Sequence, residues 1–133
     1  MESIEVHVHT GRALVTDVTS QVSSFCQRFG DGLVSLFLPH ATAGLALMEL
    51  GSGSEEDLAS ALERLLPRSE GYAHSHGSRG HGRDHLLPVA VSPSMVLPVI
   101  NGRVQLGTWQ SIVIVDSNVD NPQRRMRLSF LPA

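Results

Sequence analysis

Apolar and polar positions alternate along Ser3 to His9, with Ile4, Val6 and Val8 on one face and Glu5, His7 and His9 on the other. This period of two predicts a half-buried strand. After Thr10-Gly11-Arg12, a second short strand, Ala13 to Thr16, is expected to return as its hairpin partner. The period then lengthens. Val18, Val22, Phe25, Cys26 and Phe29 recur at helical spacing behind Asp17, a candidate N-cap, and Gly30 offers a C-cap. Gly32 to Leu38 and Ala43 to Leu50 read as core strands. Ser54 reads as the N-cap of a second helix, with Asp57 as its capping-box acid, Leu58, Ala61, Leu62 and Leu65 as its apolar face, and Pro67 as its stop. Ser69 to Arg83 is Gly, Ser, His and Arg with almost no aliphatic residue, and predicts a loop. Met95 to Ile100 and Arg103 to Leu106 flank Asn101-Gly102, a strong signal for a type I′ hairpin, and Ser111 to Asp116 and Arg124 to Leu131 read as the last strands. About seven strands and two main helices without βαβ repeats predict an α+β fold. Its largely antiparallel β-sheets should be stacked as a sandwich, with residues 1–133 forming a single domain.

Composition narrows the chemistry. A chain of 133 residues with 41% hydrophobic residues supports one core. No apolar run approaches the roughly 20 residues that cross a bilayer, so no membrane association is expected. The N-terminus reads as a strand and not as a secretory leader, which makes the cytoplasm the expected compartment. Cys26, the single cysteine, has no intrachain disulfide partner and reads as a small buried hydrophobe. All ten basic residues are arginines, which excludes lysine Schiff-base chemistry, and a net charge of -3 argues against a nucleic-acid partner.

Seven histidines are the unusual feature. His74, His76, His81 and His85 fall in or just after the loop, and His40 ends a core strand. Imidazole is a common zinc ligand, and catalytic zinc sites use three protein ligands plus an open position. The spacing matches neither His-Glu-x-x-His nor a Cys/His finger, so a metal site and a solvated histidine-rich loop both stay open. Glu49 is a candidate general base, or a carboxylate that orients an imidazole, against an edge-strand surface charge. Trp109 is a candidate core residue or the wall of a pocket for a heteroaromatic ring. Arg125 and Arg127 share a face of the final strand and could clamp a phosphate, against solvated edge arginines.

Three segments carry a resemblance: His40-Ala41-Thr42-Ala43-Gly44 with Glu49 after it; Tyr72-Ala73-His74; and His85 followed by Leu97-Pro98-Val99 and Asn101-Gly102-Arg103-Val104-Gln105-Leu106-Gly107-Thr108-Trp109-Gln110. Together they resemble the YjbQ family, small proteins with which thiamine-phosphate synthase activity has been associated. The similarity runs from about Asp17 to Phe130. It implies stacked antiparallel sheets, a homotrimer and a histidine pocket. Carried over by position, His40, His74 and His85 are the implied metal ligands, for zinc first and Mg²⁺ with a diphosphate substrate. His40 and Glu49 are the implied catalytic pair, whereas His76 and His81 have no counterpart in the family pattern and are candidates for outer or solvent-facing positions. Thr108, Trp109, Gln110, Arg125 and Arg127 are the implied contacts to a phosphorylated small-molecule substrate. The implied reaction joins a pyrimidine diphosphate to a thiazole phosphate and releases pyrophosphate. A three-imidazole site suits water activation better than diphosphate chemistry. A metal-dependent hydrolase of a phosphorylated or ester small molecule is therefore the alternative. A non-catalytic trimeric metal- or ligand-binding module is a third reading, since no nucleophile constellation is present. Arg79-Gly80-His81-Gly82-Arg83-Asp84 departs from the family pattern, which has further acidic residues there.

Overall fold

The structure is a computed structural model that describes residues 1–69 and 71–133. Eight strands run as β1 (Glu2–His9), β2 (Val15–Asp17), β3 (Gly32–Phe37), β4 (Ala43–Met48), β5 (Ser94–Ile100), β6 (Arg103–Val104), β7 (Ser111–Asp116) and β8 (Gln123–Pro132). Between them lie α1 (Thr19–Cys26), α2 (Ser54–Leu65) and two four-residue helices, α3 (His81–Asp84) and α4 (Leu87–Ala90). One sheet has the order β1-β8-β3-β5-β6 and the other β2-β7-β4, and every strand pair is antiparallel. This is the expected α+β sandwich.

The alternation in the strands explains the layers. Val8, Val34, Leu36, Leu97, Val99, Met126, Leu128 and Phe130 point inward from the five-stranded sheet. They meet Ala43, Leu45, Ile112 and Ile114 of the three-stranded sheet, and the Val18, Val22, Phe25 and Cys26 face of α1. Burial pushes the Cys26 thiol up to about 11, so it is an inert core group. A second apolar cluster covers the other side of the smaller sheet, where Val113 and Val115 lie under Leu62 of α2 and Leu87 of α4. Strand β7 is therefore buried on both faces, which its unbroken run Ile112-Val113-Ile114-Val115 anticipates.

Several local expectations are corrected. Strands β1 and β2 do not form a hairpin: β1 pairs with β8 and β2 with β7, in different sheets. Thr10 decides this, because its amide donates to the Pro122 carbonyl and its hydroxyl to Asp116, which carries the chain across the sandwich. Helix α1 stops at Cys26, short of Phe29, which instead stacks on Phe130 with ring centroids 4.2 Å apart. Gly53, with φ 90°, and not Ser54, is the N-cap of α2, and the Asp57 capping box does not form. Leu65 is exposed, so only Leu58 and Leu62 anchor that helix. The predicted loop Ser69 to Arg83 ends earlier, in α3, and its Glu70 lies outside the described residues. The Asn101-Gly102 turn has the predicted positive φ at both positions, 49° and 72°. Among the described residues no helix is long and apolar enough to cross a membrane.

Candidate metal centre

The histidines converge where the loop returns to the three-stranded sheet. One ligand nitrogen each from His74, His81 and His85 lies within 4.8 Å of the others. His81 opens α3 and His85 follows it, so the i, i+4 spacing brings both rings to one side of the helix. Their Nε2 atoms are 3.0 Å apart. His74 comes from the preceding segment, its ring centroid 4.1 Å from that of His85. Exposed His76 stands beside it, 4.1 Å from the His74 ring, at the outer side of the group. A cavity of about 250 Å³ opens here, lined by Arg68, Tyr72, His74, His76 and His81 among others.

Gly82 makes this close approach possible. A Cβ there would collide with the His74 carbonyl oxygen and sit 2.8 Å from the Tyr72 Cβ. With no side chain at Gly82, the Tyr72–His74 segment can lie directly on α3.

The surroundings fix the rings. Asp120 Oδ2 lies 2.8 Å from His81 Nδ1 and also accepts from the Ser78 amide and hydroxyl. Those donors, the Ser78 amide first, hold Asp120 below the usual carboxylate range. Asp120 Oδ2 and Asn118 Nδ2 both lie at His81 Nδ1, at 2.8 and 3.0 Å, so Nε2 is the nitrogen that faces the His85 ring. Burial first, then the neighbouring His74, His81 and His76, push His85 below the ordinary histidine value. A neutral imidazole is the form that binds a metal. Three imidazole nitrogens, one ring held by a carboxylate behind it, suit a zinc-class cation with an open coordination position better than an oxygen-loving Mg²⁺.

Beneath the rings, Asp84 is fully buried and accepts from Ser117 Oγ at 2.7 Å, Arg68 Nη2 at 3.3 Å and Asn118 Nδ2 at 3.3 Å. Asn118 also ties the site to the core, because its amide donates to Asp116 Oδ1. Asp116 accepts in addition from Thr10 Oγ1, from Arg124 Nε at 2.6 Å and from Arg124 Nη2 at 2.9 Å. Arg124 donates onward to Thr42 Oγ1. A chain of polar contacts thus links Thr42 to His81, whose Nδ1 lies 3.0 Å from Asn118 Nδ2.

The structure brings two of the three expected histidines together. His74 and His85 come together as expected, but the third ring within a chain is His81, and His40 is elsewhere. His40 Nε2 accepts the Arg125 amide N–H at 2.9 Å, beyond the end of β3. Burial, then Arg124 and Arg125, lower its pKa, in keeping with a neutral acceptor. Glu49 is exposed past the end of β4, accepts from Ser52 Oγ and does not line the histidine cavity. Trp109 is no core residue: 72% of it is exposed, in a turn closed by Gln110 Oε1 accepting the Gly107 amide. Thr108 is exposed in the same turn. Arg125 and Arg127 do share a face, but both turn to Glu5, at 3.7 and 3.3 Å. The sequence did contain the signal for His81, its four-residue spacing from His85. The glycine-rich composition around it concealed the single helical turn that gives that spacing meaning.

A profile described as "UPF0047 protein YjbQ-like" matches residues 2–133. The UPF0047 protein Rv2556c of Mycobacterium tuberculosis is 54% identical over 131 residues, 98% of each chain. Among solved structures, the hypothetical protein APE1520 from Aeropyrum pernix K1 superposes with a TM-score of 0.88 at 31% identity, covering 100% of both chains. A YbjQ-like protein of unknown function from Sulfolobus solfataricus P2 superposes with a TM-score of 0.91, covering 99% of this chain and 97% of that one. At 24% identity that last likeness speaks to the fold alone.

Proposed function

The chain belongs to the YjbQ-like UPF0047 family, and from that premise we propose that it is a metal-dependent enzyme acting on a phosphorylated or ester small molecule, with hydrolysis as its reaction. The observation that carries this reading is the convergence of His74, His81 and His85 nitrogens within 4.8 Å. His74, His81 and His85 would hold a zinc-class cation, which would supply Lewis-acid chemistry and water activation there. The chain's own residues do the rest. Asp120 orients His81, Asp84 and Asn118 hold the floor, and exposed His76 stands where it can exchange protons with bulk water.

The transfer implied by the family resemblance, from a pyrimidine diphosphate to a thiazole phosphate, is the second reading. What favours it is the nearness of two arginines, Arg68 and Arg79, to the histidines, since guanidinium groups stabilise a departing pyrophosphate. Untagged protein loaded with zinc should turn over at least one phosphomonoester, diphosphate or carboxylic ester, about tenfold or more above a His81→Ala, His85→Ala double variant. Pyrophosphate release from the diphosphate and thiazole phosphate pair would favour the second reading. A zinc-loaded protein with no turnover on either set would leave a binding module and sink both.

A homotrimer forms part of the same proposal. The outer face of the five-stranded sheet exposes Leu33, Phe37, Val96, Ile100 and Leu131, an apolar band of the kind that interfaces cover. Equilibrium sedimentation at micromolar concentration should give three times the 14.4 kDa chain mass. A monomer would remove the proposal.

A further inference from the structure

On the other side of Arg68 from the histidines lies a second cavity, of about 310 Å³, and it is framed by Arg12, Arg68 and Arg83. We propose that this cavity is a binding site for the phosphate group of a small phosphorylated ligand. The inference rests on the reading of the chain as one that handles a phosphorylated small molecule, and it names the residues that hold the phosphate.

Arg83 is the observation that points to a ligand. It is 4% exposed, and its Nε is buried with no acceptor among the described residues. A guanidinium taken out of water without a counter-charge is costly, and such groups are usually paired or hold an anion. The carboxylates nearby do not relieve it. Asp84 is taken by Arg68, Ser117 and Asn118. Asp116, which lines the cavity, already accepts from Thr10, Asn118 and two nitrogens of Arg124. Glu63, the other acidic residue of the lining, is exposed and accepts the Arg68 amide. With Arg68 paired to Asp84 and Asp116 paired to Arg124, Arg12 and Arg83 face one solvated carboxylate, Glu63, which leaves an excess of positive charge suited to an anion. The volume suits a phosphate with a small organic body.

Position adds the second argument. Arg83 lies between His81 and His85 in α3, and Arg68 borders both cavities. Arg68 is itself fixed by donating to the Ser117 carbonyl at 2.7 Å, so it forms a rigid partition with charge on its faces. Arg125 and Arg127, bound to Glu5 on the outer sheet face, are not needed for this role.

The test is calorimetric titration with inorganic phosphate of wild type, Arg83→Met and Arg12→Gln, each both zinc-loaded and chelator-treated. Wild type should bind phosphate in both states, Arg83→Met about tenfold or more weakly, and exposed Arg12→Gln several-fold more weakly. Zinc content should be unchanged in both variants. If Arg83→Met fails to fold by circular dichroism, Arg12→Gln decides alone. Absence of binding by wild type in both states overturns the inference, as does equal binding by every folded variant. Binding that disappears on chelation yet survives both substitutions puts the anion on the metal, which overturns the arginine site and leaves the metal centre standing. Failure of wild type to take up zinc, with phosphate binding intact, does the reverse.

Discussion

Replacing His81 with alanine is expected to weaken zinc binding by more than about a hundredfold, beyond the roughly 10–100-fold that follows loss of an outer partner of a metal ligand. The geometry gives the reason: His81 contributes one of three nitrogens and is the ring that Asp120 holds from behind. His81 belongs to neither apolar cluster, so the variant should keep its fold and the loss can be read as a binding effect. Competition against a chromophoric chelator measures it. Two companions sharpen the result. Asp120→Asn should fall in the 10–100-fold range. His40→Ala should leave affinity unchanged, because that ring is engaged by the Arg125 amide. Loss of zinc with His40→Ala and retention with His81→Ala would restore the ligand set implied by the family resemblance and reject the one the single chain assembles.

The second large effect concerns the buried pair beneath the site. Asp116 and Arg124 side chains are each 1% exposed and meet at 2.6 Å. Arg124→Ala should destabilise the protein by about 3–5 kcal/mol, since it removes two of the donors that compensate a buried carboxylate and leaves that charge behind. Urea unfolding followed by circular dichroism gives the value. The double variant Asp116→Asn, Arg124→Met should recover much of the loss, because it removes the stranded charge together with its partner. A loss under about 1 kcal/mol in Arg124→Ala would mean that Thr10 and the Asn118 amide satisfy Asp116 unaided. The coupling to function runs through Asn118, so the single variant should also bind zinc more weakly than its remaining folded fraction accounts for.

How much of this was legible beforehand depends on whether the information was local. The Asn101-Gly102 turn was, because positive φ at two successive positions is a property of those two residues. The strand faces were, because alternation survives whichever neighbour a strand finds. The partner of β1 was not: a short polar connection looks like a hairpin turn, and only the distant acceptors Pro122 and Asp116 of Thr10 send it to the other sheet. The site divides in the same way. His74 and His85 stood out by their flanking residues, whereas His81 needed a single helical turn, a glycine at position 82 and a carboxylate 39 positions further on to join them. Arg83 was equally hidden, since nothing in its neighbourhood says that the adjacent aspartate faces other donors.

Strand β8 lies between β1 and β3 in the five-stranded sheet. A ribosome releases β1 and β3 long before β8, so neither edge of that gap can close while the chain is still being made. The nascent chain is therefore held unfinished until its last strand emerges, and closure of the sandwich comes late, as a step that ties the two ends of the sequence together.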